Sequence, residues 1–206
     1  MAEQSPWSTL WLDPKGTIRH ILETGPHKHY PMLIALGGVA QTFSVAATMG
    51  LGDKMSFMEI VIVSLLMGPI SGWLTILIRG WLLTWVGGWL GGAATRAQTR
   101  VSLAWSWAPM VYFSPLWGVK YILFKNETFM LHRPVLESIP VLKGMFGFIE
   151  FVDFAVYVWS LVVLIQMLAE INRFTSMRAL MNVVLSSLLI GIPVLLLLYI
   201  MAPALN

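Results

Sequence analysis

Apolar blocks alternate with short polar stretches along most of this chain. The first block, "PMLIALGGVAQTFSVAATMG" at 31–50, carries no charge over its 20 residues. At ~1.5 Å per helical residue it matches a hydrocarbon core of ~30 Å. Pro31 suits the first turn of a helix, and "LGDKMS" reads as the loop that follows.

Residues 57–90 form a second, nearly continuous block, broken only by Glu59 and Arg79. One helix of that length would run about 51 Å, too long for a single crossing. A hairpin would leave two short spans and a turn in lipid. The pattern favours a third arrangement, in which 57–78 crosses, Arg79 marks the far interface, and "GWLLTWVGGWLGG" continues along that interface. Trp81, Trp85 and Trp89 recur every fourth residue, so they share one helical face. Tryptophan favours the headgroup level; the competing reading of the stripe is helix packing inside the protein.

The third block, "SLAWSWAPMVYFSPLWGVKYILF" at 102–124, contains Pro109 and Pro115, where kinks are expected, and Lys120 near its end. A polar connection over 125–144 includes Pro134 and Pro140. The fourth block, 145–171, carries Glu150 and Asp153 early, Gln166 and Glu170 late. After "NRFTSMRA" the fifth block, 180–203, has no charge.

Ahead of all this stands "SPWSTLWLDPKGTIRHIL" at 5–22. Asp13 before Pro14 predicts a helix N-cap with proline at the first helical position, and Gly25–Pro26 predicts its end. Ile18, Ile21 and Leu22 share a face, with Lys15 and Arg19 opposite. With Trp7, Leu10 and Trp11 upstream, the segment reads as an amphipathic helix lying in the membrane plane, its basic residues among anionic headgroups. An ordered segment packed on the helical bundle is the alternative. The stretch 1–30 lacks the continuous apolar core of a cleavable signal.

Five crossings place the two ends on opposite sides. Lys15, Arg19, Lys28, Arg79, Arg96, Arg100, Arg173 and Arg178 fall on the N-terminal side; Lys54, Lys120, Lys125, Arg133 and Lys143 fall on the other, and eight plus five accounts for all 13. That bias predicts a cytoplasmic N-terminus, with the C-terminus opposite.

Composition strengthens the membrane reading. The 206 residues are 57% hydrophobic and 11% charged, against roughly 25% charged in a soluble domain. So few charges cannot cover a globule with solvated surface, and mean hydropathy is +0.76. The net charge of +3 is scattered between apolar blocks, which argues for topology rather than nucleic-acid binding. With no cysteine, disulfides, thiolate metal sites and cysteine nucleophiles are excluded.

Several passages together resemble the Yip domain family, the Ypt/Rab-interacting membrane proteins, and specifically its bacterial branch. "PWSTLWLDPKGTIRHIL" is similar to that branch's lead-in before the first span. "GGAATRAQTRVSLAWSWAPMV" resembles its passage into the third span, and "WSLVVLIQMLAEINRFTSMRALMNVVL" its exit from the fourth and entry into the fifth. The resemblance covers most of the chain, in matching order. It implies five spans, a cytoplasmic N-terminus and a short far-side C-terminus. Eukaryotic members act in early secretory traffic, bind small GTPases and shape membranes, using a long soluble N-terminal region with an Asp-Leu-Tyr-Gly-Pro motif. Here that region is only ~30 residues and reads "WLDPKG", so GTPase binding is not carried over. Bacterial members have no agreed activity, and the resemblance implies a fold more than a function.

Charged groups in hydrocarbon need a partner or a cavity, at roughly 2.5–3.5 kcal/mol each on insertion scales. The predicted topology sets Glu59, Lys120, Glu150 and Asp153 at one depth near the outer surface, and Glu150, Asp153 and Tyr157 share a face by i, i+3, i+7 spacing. One reading is a polar pocket for a cation or a headgroup, with Lys120 and Tyr157 as partners. The other is hydration at the interface, or a structural ion pair that fixes helix order. Glu170 and Arg173 read as a plain i, i+3 interfacial pair.

His20, His27, His29 and His132 do not have the pattern of a metal site, and no metal or cofactor is expected. Gly68 with Gly72, and the pairs at 87–88 and 91–92, permit close helix approach, within the chain or between copies. They form no phosphate loop, since no lysine-serine or lysine-threonine pair follows. No hydrolase triad is evident.

The sequence thus predicts one all-α integral membrane domain over 1–206. Its five-helix bundle carries an N-terminal amphipathic segment and an interfacial extension after the second span. The expected role is non-enzymatic: organising lipid, partner proteins or copies of itself in a bacterial inner membrane. The alternative is a small oligomeric transporter or channel subunit that uses the outer carboxylates.

Overall fold

The computed structural model describes residues 5–201, and among them every regular element is helical. In chain order these are α1 (Pro6–Thr9), α2 (Pro14–Thr24), α3 (Tyr30–Thr48), α4 (Phe57–Trp89), α5 (Arg96–Ser106), α6 (Ala108–Phe113), α7 (Leu116–Phe124), α8 (Pro134–Ser138), α9 (Pro140–Asn172) and α10 (Ser176–Met201), with 3-10 turns at Leu51–Asp53 and Lys125–Phe129. Four of them, α3, α4, α9 and α10, are long and apolar enough to cross a membrane. The last predicted span residues, 202–203, and the C-terminus lie outside the described residues.

Local chemistry sets the boundaries. Ser56 and Glu59 form a reciprocal capping box at the start of α4, and Thr95 and Gln98 form another at the start of α5. The expected Asp13 cap is present, its carboxylate accepting from the Gly16 N–H at 2.9 Å. Arg173, in the left-handed conformation at φ 57°, closes α9.

The third apolar block departs from a single span. Its two prolines do more than kink it, since the block divides at Trp107 and at Ser114–Pro115 into α5, α6 and α7. Irregular backbone inside a membrane layer needs protein around it. At the first break that condition is met, because Trp107 is buried in the main core; the second, at Ser114–Pro115, is half-buried to exposed.

Close packing holds α3 on α4. A Cβ at Gly38 would overlap the Gly68 carbonyl oxygen and press on the Gly72 Cα. The Gly68/Gly72 register therefore serves contact within the chain. On α10, Asn182 donates from Nδ2 to the Leu83 carbonyl of α4 at 3.1 Å and accepts from the Ser186 hydroxyl at 3.2 Å.

Turns are tied in pairs at the two ends of the bundle. At one end, Asn126 Nδ2 donates to the Gly52 carbonyl at 2.9 Å and the Leu131 N–H to Asp53 Oδ2 at 3.2 Å. At the other, the Ala94 N–H donates to Asn172 Oδ1 at 3.3 Å, and Asn172 Nδ2 to the Leu168 carbonyl at 3.0 Å.

Two interfacial expectations need correction. Ile18 was expected to face lipid, yet it is 0% exposed. With Leu10 and Ile21 it enters the main core that holds Leu164, Met167 and Leu168 of α9. The amphipathic pattern is real, but the apolar face of α2 covers α9, which already offers an apolar surface there. Trp7 lies against Trp105, ring centroids 5.3 Å apart, and Trp11 meets Tyr112 and Phe113 edge-on.

Nor does the second block change course at Arg79. α4 is one helix of 33 residues, about 50 Å long. Nothing ends it before Leu90 and the left-handed Gly91 at φ 82°. Beyond Arg79 one face remains packed: Leu82, Leu83, Val86 and Gly87 are buried. Another face exposes Trp81, Trp85 and Trp89, with Trp81 and Trp85 stacked at a centroid spacing of 5.3 Å and Trp85 and Trp89 tilted to each other at 4.4 Å.

Candidate functional site

Lys120 is the most unusual residue of the apolar layer, at 2% exposure. Pro115 starts the short helix α7 on a new course, and this carries Lys120 to α9. There its ammonium meets Glu150 Oε1 at 2.6 Å and also the Asp153 carboxylate. Glu150 and Asp153 stand i, i+3 on α9, so one lysine reaches both. The ammonium also sits 4.5 Å from the centre of the Trp117 ring, a cation–π contact three residues back on the same helix. Phe124, Leu136, Phe146 and Ile149 pack beside it as a small apolar cluster.

The cluster sums to one net negative charge, from one cation and two carboxylates. Lys120 uses two of its three donors on carboxylates. Glu150 remains half exposed and Asp153 about a third exposed, at 51% and 32%. The arrangement pins α7 to α9 and leaves carboxylate oxygen at the surface.

Below Asp153 lies a small cavity of about 90 Å³ lined by Ser44, Ser114, Trp117 and Tyr157. It adjoins a larger, mostly apolar groove of about 350 Å³ along α3. Ser44, Met110 and Tyr157 line both. The groove also touches Gln41, whose buried Oε1 has no partner among the described residues, and Arg79.

Of the four ionisable groups expected together, three meet. Glu59 does not join them. It sits at the first turn of α4, where its carboxylate accepts from the Ser56 N–H at 2.7 Å and the Ser56 hydroxyl at 2.9 Å. Equal depth did not bring it near, because capping its own helix satisfies it locally. Tyr157 is exposed and shares the small cavity with Asp153; no hydrogen bond to the cluster is found among the described residues.

The expected Glu170–Arg173 pair is also replaced. Glu170 Oε1 accepts from Arg19, at 2.5 Å from Nη2 and 3.0 Å from Nε. Arg173 ends α9 in a left-handed turn, so it leaves the i, i+3 position of a continuing helix. Glu170 raises the Arg19 guanidinium above its ordinary value, by the hydrogen bond first and by charge second.

Sequence reasoning missed the Asn172 and Asn182 bonds, although Asn182, in a charge-free apolar block, is itself a signal that a partner is needed. The Glu127 carboxylate was missed as well. It accepts from the N–H groups of Val135 and Leu136 at 2.9 and 2.8 Å and so caps α8.

A family model described as the Yip1 domain matches residues 7–198 of the chain. No curated protein and no solved structure matches it.

Proposed function

The chain belongs to the Yip1 domain family, and from that premise we propose a non-enzymatic membrane organiser that loads one leaflet of a bacterial inner membrane. The supporting observation is the outward ladder of Trp81, Trp85 and Trp89. It is mounted on a helix whose other face is locked to the bundle through Leu83 and Asn182. Tryptophan is most stable among headgroups. A rigid row of three indoles therefore inserts area into one leaflet without inserting it into the other.

The whole of 1–206 acts as one domain in this reading. Five crossings are formed by α3, α4, the composite α5–α6–α7, α9 and α10. Support comes from the two tied pairs of turns, 52 with 126 and 94 with 172, which sit at opposite ends. Lysine and arginine, eight against five, support a cytoplasmic N-terminal end. Lys120 is paired within the bundle, which leaves only four on the far side. The Lys120 cluster is then a structural pin between two crossings.

The experiment is reconstitution into liposomes at fixed protein-to-lipid ratios, with vesicle diameter read by cryo-electron microscopy. The intact protein shifts the population to smaller vesicles or tubules, and the W81A/W85A/W89A variant does not. Equal diameters for the two proteins reject the reading. A cation or proton flux abolished by E150A/D153A replaces it with transport.

A further inference from the structure

A further hollow, of about 280 Å³, lies where α1 and α2 meet the turn before α3. It is remote in the chain from the Lys120 cluster and independent of the tryptophan ladder. His20, Thr24, Lys28 and His29 line it, with Trp7 and Trp105. Among the described residues no carboxylate does so.

Trp105 is 1% exposed, and its indole N–H has no hydrogen-bond partner among the described residues. An indole nitrogen can only donate, so the vacant bond calls for an acceptor. Lys28 brings an exposed ammonium with three more donors. His29 is held at φ 64°, a left-handed conformation that histidine, like asparagine and aspartate, adopts more readily than most residues other than glycine. That turn sets its ring edge-on to both Trp7 and Trp105, at 5.9 and 6.2 Å. α3, of 19 residues, starts at the next residue and directs its positive end to the same region.

Cationic and donor groups thus converge without a compensating acid among the described residues that line it. The volume is several times the ~30 Å³ share of one water, which leaves room for a tetrahedral anion with a substituent. We propose that this hollow binds a phosphate group, carried by a lipid headgroup or by a soluble phosphomonoester. Lys28 supplies the charge, the histidines and Trp105 supply directed donors, and Trp7 walls one side.

The test uses the full chain in neutral detergent. Inorganic phosphate and glycerol 3-phosphate are titrated by calorimetry. Retention of phosphatidate over phosphatidylcholine is read by native mass spectrometry. Binding of the soluble phosphates assigns a site fed from solution; selective retention of phosphatidate alone assigns a headgroup site. In either case the K28M/H20Q variant lowers affinity at least tenfold. W105F, which removes the N–H together with one of the two fused rings, lowers it several-fold. Lys28 is exposed, so K28M alone keeps the fold and carries the test if the double variant aggregates. Absence of binding in both arms overturns the proposal, as does binding that K28M and W105F leave unchanged.

Discussion

Lys120 of α7 and Glu150 of α9 meet at 2.6 Å, with the lysine buried and the glutamate half in the open. A cation so placed is held by its partners. K120M leaves Glu150 and Asp153 as neighbouring like charges on α9. Breaking a fully buried pair costs roughly 3–5 kcal/mol; here the open side of Glu150 lowers the expected loss to roughly 2 kcal/mol. Neutralising all three in K120M/E150Q/D153N recovers most of it. Thermal unfolding in detergent, followed by circular dichroism, measures both variants.

Gly38 has no room for a side chain against the Gly68 carbonyl. G38A forces α3 away from α4 and destabilises by about 1–3 kcal/mol. Gly147, inside α9, has nothing within 4 Å of the place a Cβ would occupy. G147A there is neutral or stabilises by up to ~1 kcal/mol, through helix propensity alone. The same melts compare the two.

Asn182 ties α10 to the backbone of α4. Interhelical hydrogen bonds of this kind average ~0.6 kcal/mol and reach ~1.7. N182A falls in that range, and hydrogen exchange at the amides around Leu83 rises with it.

Arg19 holds α2 to α9 through Glu170. R19E releases that hold, and amide exchange over 14–24 accelerates; R19E/E170R restores it. The pair also fixes the sign of a pH effect. Glu170 raises the guanidinium above its ordinary value. The arginine's contribution is therefore complete below that value and lost only as pH rises through the higher one. Exchange in α2, corrected for the intrinsic rate, shows no arginine-linked step between pH 7 and 10.

Legibility in the sequence followed the nature of each signal. Length and hydropathy located four of the long helices, and caps such as Asp13 and the Gly25 stop were readable because they are local. Partner choice was not local. Ile18 was correctly placed on an apolar face, but whether lipid or α9 covers that face depends on tertiary packing. Glu170 lay i, i+3 from Arg173, yet a left-handed turn at Arg173 removed that neighbour and Arg19 took its place. Glu59 shared a depth with Lys120 and still capped its own helix. The depth of a group follows from topology, whereas its azimuth around the bundle does not.

The tryptophan ladder can load one leaflet only if α4 carries the chain from one face of the membrane to the other. The chain has no cysteine, so single cysteines at exposed positions report sidedness without background. T24C, A93C, K54C and H132C each replace an exposed residue. In intact cells a membrane-impermeant maleimide labels K54C and H132C, while T24C and A93C react only after permeabilisation. Labelling of Lys54→Cys and Ala93→Cys from the same side would contradict the account.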